Sequence, residues 1–360
     1  MSELSNEVKN NDLELFAAIK QMIGADPDHV VMMDKPFRPG TRLPVVTYNF
    51  VFSGAGIGDW MCYMPAMLWL AKFCPWIRGR IYVAEFFCDF ARNVMRDYPD
   101  WRVHPAERIN DFVEPNSVFR GPSISVGGRS PGFQLLNGTG GHLVDVGFAY
   151  FTNQFPPPPG ADLFPVLDLS DVPEIALPSR YVVFTTGGVT PVRTVPGKFW
   201  NPIIDWVKSK GMTPVFLGKS NMAGCVDVNF PDDCDYSKGI NLRDKTSLLE
   251  AAKVMRNALC TIGLDNGLLH LAACTDAAIV AGYNIVHPKQ RRPNRATGEW
   301  REIYLTQDEL ACANCQTEMK TLPTHTFKQC LYGTKDCLDI LFANNGKRWI
   351  DAIESILYPP

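Results

Sequence analysis

The sequence predicts an α/β chain of two parallel-sheet halves facing one another across a cleft, and three observations carry that expectation. Short apolar runs alternate with longer helical runs from residue 45 to 105, and the alternation restarts at 180 and continues to 283. Between the two stretches stands "FPPPPGADLFP" (155–165), which can continue neither a helix nor a central strand and reads as a stiff spacer. At 360 residues the chain is long enough for two domains of ordinary size. Strands alternating with helices assemble as right-handed βαβ units on a parallel sheet. Two such sheets leave a cleft at the carboxyl ends of their strands, where ligands bind in open α/β folds.

The elements follow in order. Residues 1–45 hold one helical patch, "NDLELFAAIKQMIG" (11–24), and a proline-rich approach, and read as an N-terminal arm. The first domain (46–165) opens on a strand at "VVTYNFVF" (45–52), a glycine-rich turn at "SGAGIGD" (53–59) and a helix at 60–74. A strand at 80–86, a helix at 87–99 and a short strand at "WRVHP" follow. The second domain (166–345) has strands at 180–187, 213–218, 258–264 and 277–283, with helices at 201–211, 245–257 and 268–274. The amphipathic "RWIDAIESIL" makes 346–360 a C-terminal helix, and no short-period repeat is present.

Composition narrows the function classes. Apolar residues make up 46% and charged residues 20%, as in a soluble globular protein. A net charge of −3 gives no global reason to grip a polyanion. The most basic run, "KQRRPNR" (289–295), reads as a solvated loop. No stretch reaches the roughly 18 to 20 apolar residues of a membrane span. "WMCYMPAMLWLAKFC" (60–74) is too short and contains a proline, and nothing reads as a helix lying on a membrane. The polar, mixed-charge N-terminus is no signal peptide, so the expected location is cytoplasmic. Eleven cysteines in a reducing compartment are buried apolar residues, metal ligands or catalytic thiols. Cys62, Cys74, Cys88, Cys260 and Cys274 sit in apolar patterns and read as core. Cys312, Cys315, Cys330 and Cys337 form C-x2-C-x14-C-x6-C in a polar region, with His325 inside it, and suit a tetrahedral structural zinc or iron.

The chemistry concentrates at strand ends. In "GLDNGLLHLA" (263–272), Asp265, Asn266, Gly267 and His270 crowd one strand-to-helix junction. Helix N-termini expose unpaired N–H groups and a partial positive charge, so the junction suits an anion. Asn266 or Asp265 can cap the helix and Gly267 lets the backbone approach closely, while the acid beside an anion site points to hydroxyls such as those of a sugar. The turn "SGAGIGDW" lacks the Lys-Ser/Thr of a P-loop and breaks the dinucleotide fingerprint. Its Asp59 starts a helix, either as a capping acid or as a general base facing the other domain. Thr186 and Gly187 in "TTGG" and Gly218 end strands of the second half, where a donor would lie. Arg193 and Lys198 follow, and either can neutralise a diphosphate.

"GIGDWMCYMPAMLWLAKFCP", "KFW" and "NLRDKTSLLEAAKVMRNALCTIGLDNGLLHLAAC" in this order resemble the heptosyltransferases of glycosyltransferase family 9. The likeness spans most of 46–340. It implies a GT-B fold, two Rossmann-like domains facing a central cleft, with a small cysteine-rich finger at 310–340. It also implies inverting transfer from a nucleotide-diphospho-sugar, ADP-heptose first, with no catalytic metal required. By position Asp59 matches the family's general base and Lys198 the lysine on the donor diphosphate. Asp265 matches the acid near the donor sugar, and Asn266, Gly267 and His270 the phosphate-binding helix start. Two departures stand out: Asn266 replaces the usual Ser or Thr, and "KFWNP" lacks the proline directly after Trp. Family members that glycosylate autotransporter proteins are similar at the finger, where four cysteines hold iron. The implied acceptor is a protein side chain or a glycan, with a hydroxymethylated nucleobase in DNA less favoured by the net acidity. A GT-B nucleotide-sugar epimerase and a non-catalytic binding scaffold are the competing readings.

Overall fold

The structure, a computed structural model, describes residues 46–52, 56–111, 118–120, 142–152, 156–188, 192–220, 228–295, 301–310, 312–313, 315, 330 and 333–359. The N-terminal arm (1–45), residues 53–55 of the glycine-rich turn and most of the finger lie outside them.

The first half carries four parallel strands in the order β3-β2-β1-β4. They are β1 (Val46–Val51), β2 (Ile77–Val83), β3 (Arg102–Pro105) and β4 (Val118–Arg120). Its helices are α1 (Ile57–Phe73), α2 (Cys88–Val94) and α3 (Leu143–Thr152). Strand β2 starts three residues earlier than expected. The helix expected at 87–99 is a 3-10 turn at Glu85–Phe87 followed by the short α2. Helix α3 is an addition to the expected elements. Its Gly147 lies against α1, where a Cβ would come 3.1 Å from the Cα of Tyr63. The missing side chain is what lets the two helices approach closely at this point.

The second half has six parallel strands in the order β10-β9-β8-β5-β6-β7. These are β5 (Tyr181–Thr185), β6 (Thr213–Phe216), β7 (Ile240–Asn241), β8 (Cys260–Leu264), β9 (Ile279–Gly282) and β10 (Glu302–Leu305). Its helices are α4 (Gly197–Ser209), α5 (Leu248–Asn257), α6 (Gly267–Ala273), α7 (Pro288–Arg291), α8 (Asp336–Leu341) and α9 (Ala343–Leu357). Central strands β5 and β8 are buried at every position, as a sheet covered on both faces requires. Helix α4 buries Trp200, Ile203, Ile204 and Val207, the i, i+3, i+4, i+7 stripe of an amphipathic helix. The C-terminal α9 adds Trp349, Ile353 and Ile356 to the same core, so it belongs to the second half. Helix α5 starts with a capping box, Ser247 Oγ accepting from the Glu250 N–H while the Glu250 carboxylate accepts from the Ser247 N–H.

Both sheets follow the doubly wound order, in which the chain reverses direction beside the first strand. That point lies between β1 and β4 in one sheet and between β5 and β8 in the other, and the two face each other. The helices that leave them, α1 and α6, pack together and make one apolar core continuous across the halves. The proline-rich spacer is tied down as well, since Trp69 Nε1–H donates to the Pro159 carbonyl at 3.2 Å. Among the described residues no helix is long and apolar enough to cross a membrane.

Candidate active site

Two glycines bring the starts of α1 and α6 into direct contact. A Cβ on Gly267 would sit 2.6 Å from the Cβ of Ile57, and one on Gly58 would meet the His270 ring at 3.0 Å. The glycines of "GIGD" and "DNGLLH" therefore serve the approach of one domain to the other. A cavity of about 500 Å³ opens at this junction, within the range of small-molecule sites. Asp59, Gly187, Arg193, Gly218, Asp265, Asn266, Gly267 and His270, all expected at the site, line it. The lining includes the apolar Leu217, Val228, Phe230, Leu248 and Leu249 as well as charged groups.

Four ionic side chains of the lining meet one another. Asp59 stands in the first turn of α1, and its Oδ1 accepts from Arg291 Nη2 at 2.5 Å. Asp265 follows β8, is 4% exposed, and lies 3.4 Å from Arg193 Nη2 and 4.0 Å from Arg291 Nε. Burial works against the charge on Arg291, but Asp59 and Asp265 outweigh it and raise its pKa above the ordinary arginine value. For Arg193 burial is the stronger influence and lowers its pKa, although Asp265 opposes it. Arg193 is placed by its neighbour, whose Val192 carbonyl accepts from Asn284 Nδ2 at 2.7 Å.

Asn266 and His270 have structural duties here. Asn266 Oδ1 accepts from the N–H groups of Leu268 (3.0 Å) and Leu269 (3.3 Å), capping α6. Its Nδ2 donates to the Thr185 carbonyl and Oγ1, both at 3.1 Å, pinning β8 to β5 at the switch point. An asparagine does both tasks where Ser or Thr has no amide to donate, so its side chain is committed to the fold. His270 is 3% exposed, with Nδ1 3.7 Å from Cys62 Sγ, and burial pushes its pKa down to about 4. It is neutral at physiological pH and adds no positive charge to the cleft.

Two expected site residues lie outside the cavity lining. Lys198 is exposed, with Nζ 4.7 Å from the Phe199 ring centroid. Residues two apart on a helix point roughly 200° apart, so burying Trp200 turns Lys198 outward. Thr186 follows Thr185 on the extended chain and turns to the opposite side, where its Oγ1 lies 3.1 Å from the Tyr236 hydroxyl.

Arg291 is the site residue that the sequence reading missed. "KQRRPNR" is a solvated loop only in part. Arg291 reaches across the cleft, and the buried Arg295 donates to the carbonyls of Thr275 and Ala277 beyond α6 and to Glu302. The signal was present, because His287 caps and Pro288 opens a one-turn helix directly after β9.

The five cysteines read as core are buried, as is Cys234. Cys312, Cys315, Cys330 and Cys337 are half-buried. Burial pushes the Cys337 thiol up to about 11. Among the described residues no group of three or more His, Cys, Asp and Glu side chains is arranged to hold a metal ion.

Two doubly wound sheets with facing switch points and a shared charged cavity have the architecture of a GT-B-type fold. Residues 162–323 match the model of glycosyltransferase family 9 (heptosyltransferase). The solved structure of TibC, an iron-containing dodecameric glycosyltransferase from enterotoxigenic E. coli H10407, is similar over 88% of this chain and 78% of its own. The TM-score is 0.65 and the identity 16%. The TibC complex with ADP-D-β-D-heptose covers 89% of this chain and 82% of its own, with TM-score 0.65 and 16% identity. E. coli heptosyltransferase WaaC with ADP aligns over 86% of this chain and all of its own, with TM-score 0.53 and 16% identity. No curated protein sequence matches the chain.

Proposed function

We propose that this protein is an inverting transferase that moves heptose from ADP-heptose to an acceptor hydroxyl, with Asp59 as general base. The observation that carries the reading is one cavity lined by Asp59 of the first half and by Arg193, Asp265 and Arg291 of the second. The apolar lining residues Leu217, Phe230 and Leu248 suit a nucleobase, and the charged ones suit a diphosphate and a sugar. The ligands named in the TibC and WaaC complexes support the donor. The acceptor oxygen attacks the anomeric carbon and passes its proton to Asp59. The bond from that carbon to the β-phosphate oxygen breaks, and ADP leaves with the electron pair. Arg193 stabilises the departing diphosphate, which is electrostatic work by a preorganised charge. Asp265, held by Arg193, faces the sugar hydroxyls.

The test incubates the protein with ADP-heptose, and in parallel with UDP- and GDP-sugars, and reads nucleotide release and mass gain on candidate protein and glycan acceptors. Selective release of ADP with a mass gain of one heptose is expected. An interconverted sugar nucleotide with no release identifies an epimerase, and no binding of any donor identifies a scaffold.

Arg193 and Lys198 can be separated by calorimetry with ADP. Arg193→Ala is expected to weaken ADP binding by about 1.5–3 kcal/mol, the worth of a charge-assisted bond. Lys198→Ala should leave the dissociation constant nearly unchanged, and the reverse ranking would return the lysine to the diphosphate site.

The four cysteines, spaced C-x2-C-x14-C-x6-C, are the place for a structural zinc or iron, a reading supported by the iron in the similar TibC. Elemental analysis is expected to find about one metal ion per chain. A stable, metal-free protein would make them ordinary thiols.

A further inference from the structure

We propose that Arg291 is a positioning residue for sugar transfer: it clamps one oxygen of Asp59 across the cleft and leaves the other to take the acceptor's proton. The inference rests on the reading of Asp59 as general base. Three features of the structure lead to it.

The clamp joins the two halves at the reacting end of the cavity. Asp59 comes from α1 and is one-third exposed, while Arg291 comes from α7 and is one-fifth exposed. Arg291 Nη2 donates to Asp59 Oδ1 at 2.5 Å, whereas Asp59 Oδ2 lies toward Gly56 at the start of α1. A carboxylate held by one oxygen has a fixed plane and one free acceptor, as a base needs to meet a hydroxyl in a single geometry.

The backbone that carries Arg291 is itself fastened. Tyr283 donates its hydroxyl to the Arg291 carbonyl at 3.5 Å. His142, at the start of α3, donates Nε2–H to the Arg292 carbonyl at 2.9 Å. Its tautomer is set by the Val144 N–H, which donates to Nδ1 at 3.1 Å. The backbone that carries the guanidinium is thus fastened from both domains.

Arg291 also spans the two carboxylates. Its Nε lies 4.0 Å from Asp265 Oδ2, and neither of these buried atoms makes a hydrogen bond. Asp59 on the acceptor side and Asp265 on the donor side are therefore held at a fixed separation by one rigid, planar cation.

The step balances without further components. The acceptor O–H proton moves to Asp59 Oδ2 as the new C–O bond forms and ADP departs. Arg291 gives up no proton and touches no reacting atom.

The test measures ADP release from ADP-heptose with water as acceptor, together with ADP affinity by calorimetry, for wild type, Asp59→Asn, Arg291→Ala, Arg291→Gln and Arg291→Lys. Arg291→Ala is expected to lose about a hundredfold in kcat, with the donor KM and the ADP Kd within about threefold of wild type. Arg291→Lys should recover part of the loss, and added guanidinium should restore Arg291→Ala while leaving Asp59→Asn inactive. If the alanine variant does not fold, Arg291→Gln carries the same comparison. An Arg291 variant with wild-type kcat beside an inactive Asp59→Asn overturns the clamp alone. A loss confined to ADP affinity, or one rescued by neither lysine nor guanidinium, also overturns it. A fully active Asp59→Asn overturns the base and the clamp together, and a wild type inert toward ADP-heptose overturns the proposed reaction itself.

Discussion

Asp59→Asn is expected to lower ADP release and heptose transfer by about 10²–10⁴-fold, the usual contribution of a positioned general base. The substitution keeps the size of the side chain and an oxygen that can still accept from Arg291. What it removes is the ability to take a proton. The loss should fall on kcat and kcat/KM alike, because the missing interaction exists only in the transition state. ADP binding, measured by calorimetry, should stay near the wild-type value, since Asp59 belongs to the first half and the diphosphate is assigned to the second. Removing the carboxylate leaves Arg291 less compensated, so the melting temperature should be followed alongside the kinetics. Full activity in the variant would exclude Asp59 as the base, and a collapse of ADP affinity would make it a donor ligand.

Much of the site was legible because strand ends in a doubly wound sheet gather function in one place. An acid, an amide and a glycine directly after β8, and another acid after β1, could be located from hydrophobic alternation alone. The parts that were misread have identifiable causes. Lys198 was placed by a short motif, yet its direction is decided by which face of α4 buries Trp200. Asn266 was expected as a cap and caps α6, whereas the tie from its amide to β5 was not legible. Arg291 was hidden in a basic run, because composition cannot tell a solvated arginine from one that crosses a cleft to a carboxylate 232 residues earlier. Helix α3 escaped because Gly147 weakens the helical signal, and its reason for being glycine lies on another helix. Strands β7 and β10 are short and lie at sheet edges, so they carry little periodicity. For Arg291 and Gly147 the missing information is a long-range contact.

The contact between the halves should also make the fold sensitive to acid through His270. In the unfolded chain its imidazole has the ordinary pKa near 6.5; in the folded chain burial is the main cause that pushes it down to about 4. Between those two values the unfolded state binds more protons than the folded one, so stability is fully present above pH 6.5 and is lost as the pH falls through 4. A gap of about 2.5 units corresponds to roughly 3 kcal/mol, a large share of the stability of an ordinary domain. His270→Asn, which carries no titrating group, should lose about that much less than wild type when urea unfolding is compared between pH 7 and pH 4. Equal acid losses in the two proteins would show that the ring is protonated as readily folded as unfolded. The consequence reaches the active site, because the His270 ring lies against Gly58, one residue before Asp59, and its Nδ1 faces Cys62 on α1. A proton forced onto that ring must be held in a buried site, where Asp265 and Asp59 favour it, Arg291 and His142 oppose it, and Nδ1 faces only the Cys62 thiol. Acidification should therefore separate α1 from α6 before it unfolds either sheet, and transfer activity should fall at a higher pH than far-ultraviolet circular dichroism.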